Sequence, residues 1–408
     1  MSPTVSVIVV SRGRPASLKR TLLGVSQLWY RSFEIIVVAD QAGCNAVRGL
    51  PMAEHICVNL FEDANISAAR NQGLAKAAGD IVAFIDDDAV PEPNWLTEIV
   101  APFKEGQVAA VGGYVIGRNG FSFQWQGRSV DGSGQTKALA VNTLPFEVFE
   151  ADSAKATKTE GTNCAFRREM LLALGGFDPA YRFYNDETDL NMRIALAGYA
   201  TAICPKALVH HGYEASACRR ADRVPKSLFE IGASIAVFLR KFAPASEISE
   251  LIARERLEQH KRLERFLISG QLPLGQLSTL LQSFDRGVAD GNQRLIAPLL
   301  PVVSSHRQFD AFPSQPPRVE VMSGRIWQIK KLKQRAAEQV SQGKNVRLYV
   351  FSYTCLFHRR VYTASGYWLQ VGGVFGRSRR TDPLIRKYTF NSRLKEEIRW
   401  AECPPSAN

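Results

Sequence analysis

Residues 81–88 read IVAFIDDD, an apolar run of five residues that leads directly into three aspartates. A short apolar run of this kind is typical of a strand that is buried on both faces. Three adjacent carboxylates repel one another, and a bound divalent cation relieves that repulsion. Because alternate residues of an extended chain point the same way, Asp86 and Asp88 could share one face. The other interpretation of the three aspartates is an acidic turn in solvent.

The sequence around this run repeats the alternation of apolar runs and helical segments. Apolar runs at residues 5–10, 34–39 and 56–60 predict further buried strands, and apolar residues at helical spacing occupy 17–30 and 66–78. Strands that alternate with helices predict a parallel sheet covered on both faces. Polar residues cluster just after the strands, and ligands bind at that edge of open α/β sheets. We therefore expect an α/β fold whose ligand site includes the triple aspartate.

The charge of the chain is concentrated in its second half. The 408 residues include 45% hydrophobic and 22% charged residues, which predicts a folded protein with two domains. The net charge is +12; residues 1–212 hold 19 Lys and Arg against 22 Asp and Glu, and the remainder holds 32 against 17. Such a basic surface could meet anionic lipids, an acidic glycan or nucleic acid, or it could have no partner.

The cysteines and the N-terminal residues indicate a reducing compartment. The seven cysteines form no C-x-x-C pair and their number is odd, which argues against a disulfide framework or a zinc site. The opening residues MSPTVSVIVVSRGRP lack a basic region before the apolar run, and no stretch approaches the roughly 18 apolar residues of a membrane span. We therefore expect a cytoplasmic protein that is either soluble or peripheral at the inner face of the membrane.

Five motifs, taken in order, resemble the family 2 glycosyltransferases, which have the GT-A fold. The motifs are SVIVVSRGRP, EIIVVAD, NISAARNQGLAKAAGDIVAFIDDDAVPEPNWL, GTNCAFRREMLLALGGFD and YNDETDLNMRIALAGY. The resemblance covers about residues 3–215. It implies a GT-A domain with a mostly parallel central sheet that binds a nucleotide sugar.

The resemblance also implies which residues bind the donor. The expected donor-binding residues are Ser11, Arg12, Arg14, Asp40, Arg70, Asn71, Asp86 and Asp87. Asp40 resembles the carboxylate that contacts the base, although this chain continues with Gln-Ala-Gly where the family often has D-G-S. Arg70 matches the A-R-N segment beside the nucleotide, but it could instead be an arginine on a helix surface.

A divalent ion, Mn²⁺ or Mg²⁺, is implied at Asp88 and one histidine. His210 and His211 follow an apolar run, and a histidine here resembles the C-terminal metal ligand of the family. Alternation along a strand places the two side chains on opposite faces, so we expect only one of them to bind metal. His210 is the preferred ligand, and either histidine could instead be a surface or core residue.

A second carboxylate cluster, Asp186-Glu187-Thr188-Asp189, precedes a predicted helix. Acidic residues in a first turn can simply cap a helix and interact with its dipole. The family pattern E-D-x-D-L, however, supplies the general base at its second position. Here the first two residues are exchanged, so Glu187 is the expected catalytic base and Asp186 the alternative. We expect the charge of Asp186 to raise the pKa of Glu187.

The rest of the chain carries no motif that indicates chemistry. Residues 117–160 are rich in Gly and Ser and predict a flexible or acceptor-facing insertion. Helical patterns at 227–242, 246–267 and 274–289 predict a helical extension (216–300). Basic residues flank its segment 228–239, which could lie on an anionic membrane or pack on the catalytic domain. A basic C-terminal region, residues 301–408, follows the helical extension.

A Pro-rich linker is expected at 298–318, across the start of the basic C-terminal region (residues 301–408), and that region is expected to end in a small α/β segment. A helix at 325–342 and strands at 346–353 and 368–374 are predicted, followed by a basic patch of Arg377, Arg379 and Arg380. No nucleic-acid-binding fingerprint occurs, so we expect no nucleic-acid partner.

Together these features predict a metal-dependent, inverting glycosyltransferase. It would move a sugar from a nucleotide-sugar donor to a hydroxyl of a glycan or a lipid-linked acceptor, in surface polysaccharide or glycolipid synthesis. Two alternatives remain open at this level. One is a nucleotidyltransferase, and the other is a non-catalytic glycosyltransferase-like scaffold.

Overall fold

A ten-stranded sheet and a smaller three-stranded sheet organise the first 211 residues. The computed structural model describes residues 2–142, 144–212, 214–314, 319–379 and 381–402. The strands of this part are β1 (Val5–Ser11), β2 (Phe33–Ala39), β3 (Ile56–Leu60), β4 (Ile81–Asp86), β5 (Ala89–Pro91), β6 (Val108–Ile116), β7 (Phe123–Trp125), β8 (Arg128–Asp131), β9 (Thr136–Ala138), β10 (Glu147–Phe149), β11 (Lys155–Lys158), β12 (Asn163–Arg167) and β13 (Ala200–His211).

The large sheet has the strand order β10-β13-β6-β12-β4-β1-β2-β3, with β5 paired to β13 and β7 to β6. Strands β4, β1, β2 and β3 are mutually parallel, and β12 runs antiparallel between β4 and β6. The predicted strands at 5–10, 34–39, 56–60 and 81–85 are all present. The prediction of a mixed α/β fold with a mostly parallel central sheet is confirmed.

Helices cover this sheet on both faces, which is why β1 and β2 consist almost entirely of buried residues. The helices are α1 (Pro15–Val25), α2 (Gln41–Arg48), α3 (Ile66–Lys76), α4 (Trp95–Val100), α5 (Arg168–Ala173) and α6 (Asp186–Leu196). Two separate apolar clusters form, one on each side of the sheet. The arrangement leaves the carboxyl ends of β1 and β4 open to a cavity.

The insertion at 117–160 is built from short strands. Strands β7 and β10 join the large sheet, while β11, β8 and β9 form the small sheet. The β8–β9 turn is closed by Asp131, whose Oδ1 accepts hydrogen bonds from the backbone N–H groups of Ser133 and Gln135. Val130 and Ala156 are buried against the following helices. The Gly and Ser residues therefore mark tight turns between strands.

The helical extension contains α7 (Phe229–Phe242), α8 (Ile248–Ile268) and α9 (Gly275–Gln293). Helix α7 packs closely against α9. Glycine at positions 287 and 291 permits this close approach, because a Cβ atom at either position would collide with the α7 backbone. Most of the apolar residues of α7 are buried, and Val237 and Phe238 are fully so. Segment 228–239 thus packs on the protein, which was one of its two interpretations. No helix in the described part of the chain combines the length and apolarity needed to cross a bilayer.

The Pro-rich segment predicted as a linker runs along the catalytic domain, and we call its residues 298–314 the strap. The backbone N–H groups of Val302, Ser305 and Phe312 donate to carbonyls of Leu172, Ala75 and Phe33, at 2.7–3.0 Å. The Phe312 ring is buried and stacks on that of Phe33, with centroids 5.4 Å apart. These contacts hold the strap against the rest of the protein, although residues 298–314 form no helix or strand.

A second α/β unit, the C-terminal module (residues 319–402), follows. It comprises β14 (Val319–Arg325), α10 (Ile329–Ser341), β15 (Asn345–Ser352), β16 (Arg359–Tyr362), β17 (Trp368–Gly373) and α11 (Phe390–Glu402). Its sheet order is β14-β15-β17-β16, of which the first three strands are parallel. Trp368 and Tyr362 pack on Val90 and Leu23, which places the module beside β5. Arg380 of the predicted basic patch lies outside the described residues.

Candidate active site

The triple aspartate forms the centre of a three-residue group at the carboxyl edge of the large sheet. Potential ligand atoms of Asp86, Asp88 and His211 all lie within 4.8 Å of one another. The chain brings them together because β5 follows the aspartates and pairs with β13, placing His211 opposite Ala89. Two carboxylates and one imidazole form a donor set that suits Mn²⁺, with Mg²⁺ favouring the oxygen donors. The residues present therefore fit a divalent ion.

Asp88 is held ionised by its neighbours. Its Oδ1 lies 3.1 Å from His211 Nε2, while its Oδ2 accepts hydrogen bonds from the Glu214 backbone N–H (2.8 Å) and Arg14 Nη1 (3.1 Å). Burial alone would raise the pKa of Asp88, but His211 and Arg14 together hold that pKa well below its usual range. The carboxylate is thus preserved in the form that binds a cation.

Asp87, expected to contact the donor, is buried beneath the first loop. Its Oδ2 accepts a hydrogen bond from Ser11 Oγ at 2.6 Å, and its Oδ1 lies 2.5 Å from Arg14 Nη2. Burial raises the pKa of Asp87 to about 7, despite the opposing charge of Arg14. Asp87 therefore holds the side chains of Ser11 and Arg14 in place. Both residues belong to the loop predicted to line the donor pocket.

His210, the preferred metal ligand in the sequence, is not part of the acidic group. Successive residues of β13 point to opposite faces, so the side chain of His210 turns away from the aspartates. Its Nε2 lies 2.7 Å from Glu92 Oε1 in a buried contact. The histidine that reaches Asp88 is His211. Alternation along the strand indicated that only one of the two histidines would reach the aspartates. Which of the two does so depends on how β13 pairs with β5, and this pairing could not be predicted from the sequence.

Arg70 connects the two carboxylate clusters. It is buried, and its guanidinium forms an ion pair with Asp186 and lies 3.5 Å from Asp86. The charges of these two carboxylates outweigh the burial of Arg70 and raise its pKa, so it stays cationic. It is therefore not an arginine on a helix surface. Its neighbour Asn71 instead hydrogen-bonds both the N–H and the carbonyl of Phe177, at 2.8 and 2.6 Å.

Asp186 and Glu187 begin helix α6 and face the same cavity as the acidic group. Glu187 Oε1 lies 2.8 Å from Nζ of Lys158, a buried residue of β11. Burial would raise the pKa of Glu187, but Lys158 lowers it to about 2. Burial raises the pKa of Asp186 to about 7, with the charge of Glu187 adding to the rise. The pKa elevation expected for Glu187 therefore falls on Asp186.

Lys158 was not identified from the sequence. It lies within the insertion, 29 residues from Glu187, and the two meet only because β11 packs beside α6. The local sequence KATK carries no signal for this contact. Thr162 donates a hydrogen bond to Asp86. The sequence indicated Thr162 only as a member of the motif GTNCAFRREMLLALGGFD, without a role of its own.

Two adjoining cavities form an elongated groove along this edge of the sheet. One, of about 230 Å³, is lined by the first loop and the end of β3, including Ser11, Arg12 and Phe61. The other, of about 240 Å³, is lined by both carboxylate clusters and His211. Arg14 lines both cavities. The groove therefore runs from the predicted nucleotide loop to the acidic group.

Asp40, the expected base contact, is engaged with backbone. Its Oδ1 accepts a hydrogen bond from Gly43 N–H at 2.8 Å and caps α2, and its Oδ2 accepts one from Gly13 N–H at 2.7 Å. Gly13 has a φ of +70°, a conformation that favours glycine. Asp40 thus holds the shape of the first loop, next to the residues that line the groove.

The sheet topology, the acidic strand end and the carboxylate-bearing helix define a glycosyltransferase domain of the GT-A type. The model of the family described as glycosyltransferase-like family 2 matches residues 3–225. This match covers more than half of the chain, and the chain belongs to that family. Membership of this family favours glycosyl transfer over the alternative of nucleotidyl transfer.

Relatives with curated names match about half of the chain. The O-antigen biosynthesis protein RfbC of Myxococcus xanthus is 28% identical over 247 residues, or 55% of this chain and 18% of that protein. The glucosyl-dolichyl phosphate glucuronosyltransferase of Haloferax volcanii is 27% identical over 183 residues, 44% of this chain and 56% of that protein. The chain thus spans less than two thirds of the length of each of these relatives.

Similar solved structures include two glycosyltransferases. The mannosyltransferase PcManGT of Pyrobaculum calidifontis, in complex with GDP-Man and Mn²⁺, has 17% identity and a TM-score of 0.44, covering 72% of this chain and 88% of that chain. GalNAc-T7 with UDP, GalNAc and Mn²⁺ has 20% identity and a TM-score of 0.42, covering 51% and 43%.

Proposed function

We propose that this glycosyltransferase moves a sugar from a nucleotide-sugar donor to an acceptor hydroxyl with inversion at the anomeric carbon, assisted by Mn²⁺ or Mg²⁺. The observation that supports this is the pairing of two sites across one cavity. Asp86, Asp88 and His211 form a cation-binding group on one wall, and Asp186 and Glu187 supply carboxylates on another. Such a cavity has room for a diphosphate beside the cation and for an acceptor beside a base.

The donor is proposed to lie along the groove, with its nucleoside in the cavity lined by Ser11, Arg12 and Phe61. Arg14 lines both cavities and would face the diphosphate between them. A divalent ion bound at the acidic group would act as a Lewis acid toward the departing diphosphate. The low pKa of Asp88 keeps this group anionic at neutral pH.

Glu187 is the proposed base that removes the proton from the acceptor hydroxyl. Its side chain is 16% exposed, against 3% for Asp186, so it is the more accessible of the two carboxylates. Its ion pair with Lys158 keeps it deprotonated, the form that a base needs. Asp186, held by Arg70, would then orient the helix start that carries Glu187. Direct attack of the hydroxyl on the anomeric carbon needs no nucleophile from the enzyme.

The acceptor is proposed to enter through a third cavity, of about 270 Å³, that lies between the small sheet and α7. This cavity is lined by Lys158, Tyr184 and Asn185, two of which also line the cavity of the acidic group. The names of the Myxococcus and Haloferax relatives support a glycan or a lipid-linked acceptor. Surface polysaccharide or glycolipid synthesis in the cytoplasm, near the inner face of the membrane, is the proposed setting.

The test is release of nucleoside diphosphate from a panel of nucleotide sugars, with Mn²⁺ or Mg²⁺. Asp88→Asn removes a charge from the acidic group and should reduce the release by at least about 100-fold. Asp285→Asn, which alters an exposed carboxylate on α9, is the matched control and should retain full activity. Equal activity of the Asp88 variant and the parent, or metal-independent release, would refute the proposal.

A further inference from the structure

Five large apolar side chains remain exposed at one end of the C-terminal module. Tyr353, Leu356 and Phe357 lie in the loop after β15 and are 60%, 65% and 58% exposed. Leu384 and Ile385, which precede α11, are 60% and 64% exposed. We call these five residues the apolar tip. Single exposed apolar residues are ordinary, whereas a contiguous group of this size marks an interaction site.

Backbone contacts show that the two loops of the apolar tip adjoin. The Gly373 N–H donates a hydrogen bond to the Leu356 carbonyl at 2.9 Å. Gly376 forms a bridge with Ile385, and a Cβ atom on Gly376 would collide with the Leu356 carbonyl. Residues 373–376 therefore connect the loop of Leu356 to that of Ile385. Backbone pairing therefore holds the loop that carries Leu356 and Phe357 beside the loop that carries Leu384 and Ile385.

Arginines stand directly beside the exposed rings. The guanidinium of Arg325 lies 3.9 Å from the ring centroid of Tyr353, and that of Arg377 lies 4.5 Å from the centroid of Phe357. Residues 319–402 as a whole carry 17 Lys and Arg against 6 Asp and Glu. Asp382 and Glu396 are acidic groups nearby, and each of them pairs with Arg379 and Arg386. The surroundings of the apolar tip are therefore strongly cationic.

We propose that the apolar tip docks the protein on an anionic lipid surface. Apolar side chains of this kind enter the boundary between headgroups and acyl chains, and neighbouring arginines attract anionic headgroups. Leu356, Leu384 and Ile385 offer no hydrogen-bonding groups, so a lipid phase suits them better than a glycan. Two copies of the chain meeting tip to tip would bring two cationic modules together, which disfavours self-association. This inference goes beyond the proposed function and does not depend on it.

The experiment measures co-sedimentation of the full chain with vesicles of phosphatidylcholine, with or without phosphatidylglycerol. We expect binding to the anionic vesicles at low salt and weaker binding as salt is raised. The double variant Leu356→Ser/Phe357→Ser should lower the vesicle affinity by roughly ten-fold or more. The matched control is Ile268→Ser/Leu274→Ser, which changes two residues of the helical extension that are 88% and 77% exposed and should bind like the parent.

Thermal unfolding of both variants checks that each is folded. Four outcomes would overturn the proposal. Three of them are a lack of binding to anionic vesicles at low salt, equal binding to neutral vesicles, and an equal loss of binding in both double variants. A fourth is a concentration-dependent dimer of the parent that the Leu356/Phe357 variant abolishes, because the surface would then be occupied by a second copy.

Discussion

The adjacent residues His210 and His211 of β13 lie in two different environments. His211 reaches Asp88 at 3.1 Å, whereas His210 reaches the buried carboxylate of Glu92 at 2.7 Å. One residue along the strand therefore separates a candidate metal ligand from a buried polar contact. This difference can be measured, because loss of a ligand and loss of a buried hydrogen bond affect different properties.

We predict that His211→Ala weakens metal binding and that His210→Ala weakens the fold. His211→Ala should raise the metal concentration for half-maximal activity by at least about ten-fold, since it removes one of three donors. His210→Ala should lower the free energy of unfolding by about 1–3 kcal/mol, because Glu92 loses a hydrogen-bond partner. Metal titration and urea unfolding of both variants check this. If His210→Ala shifted the metal titration more than His211→Ala did, the proposed ligand set would be rejected.

The pH dependence of the reaction distinguishes Glu187 from Asp186 as the base. Lys158 holds the pKa of Glu187 well below its usual range, so a Glu187 base stays deprotonated and by itself causes no loss of kcat/KM as the pH falls through 7. Asp186, with a pKa of about 7, would produce such a loss. Lys158→Met removes the cation that lowers the pKa of Glu187, and burial then raises it. We predict that this variant loses activity as the pH falls, whereas the parent does not.

The control for this experiment is Lys155→Met on the same strand, whose side chain is mostly exposed and pairs only loosely with Asp152. Its pH profile should match that of the parent. A parent profile that already declines near pH 7, and that Asp186→Asn abolishes, would transfer the role of base to Asp186.

These residues show what the sequence could and could not predict about the site. Asp86 and Asp88 follow an apolar run, so their position at a strand end could be predicted from local pattern alone. Lys158 and His211 depend on which strands pair, and pairing is set by contacts between distant segments. The pKa of Glu187 was predicted in the wrong direction because the effect of Lys158 requires the packing of β11 beside α6.

At the scale of elements, β5 and β13 form the junction between the two α/β units. Glu92 follows β5 and accepts contacts from His210 at 2.7 Å and from Arg360 of β16 at 2.9 Å. The Arg360 guanidinium also lies 4.5 Å from the ring centroid of Trp368. Burial would raise the pKa of Glu92, but the charge of Arg360 and the hydrogen bond from His210 lower it to about 2. The pair is therefore a buried ion pair across the junction.

We predict that Arg360→Ala lowers the free energy of unfolding by about 3 kcal/mol, because it leaves the Glu92 charge buried with His210 alone. The neighbouring residue provides the control, since Arg359 is exposed on the same strand. Arg359→Ala should change the stability by no more than about 0.5 kcal/mol. Urea unfolding of the two variants measures both values. Equal stabilities would mean that the pair contributes nothing to the junction.

The elements of the first half could be predicted because their apolar runs are continuous and regularly spaced. The strands of the insertion could not, since each is three or four residues long and its pattern is interrupted by Gly and Ser. Strands β14 and β16 were missed for a related reason. The residues of β14 are only partly buried and show no clear apolar alternation, whereas β16 has only four residues and an arginine at one of its two buried positions.

On the scale of the whole molecule, the strap joins the helical extension to the C-terminal module along the side of the catalytic domain. The Pro-rich composition predicted a linker, and the segment does lack regular structure. Composition alone could not show that Phe312 would find a place beside Phe33, 279 residues earlier in the chain. An interaction over such a separation depends on the completed sheet.

Around the start of the strap, Leu295 and Leu300 are each 83% exposed. A protease that cut the backbone there would produce two fragments. They would remain associated, because Phe312 would still cover Phe33 and Trp368 would still pack near β5. The chain would then behave as a split protein whose halves complement each other. We therefore expect the cleaved chain to keep its fold through the contacts between its two parts.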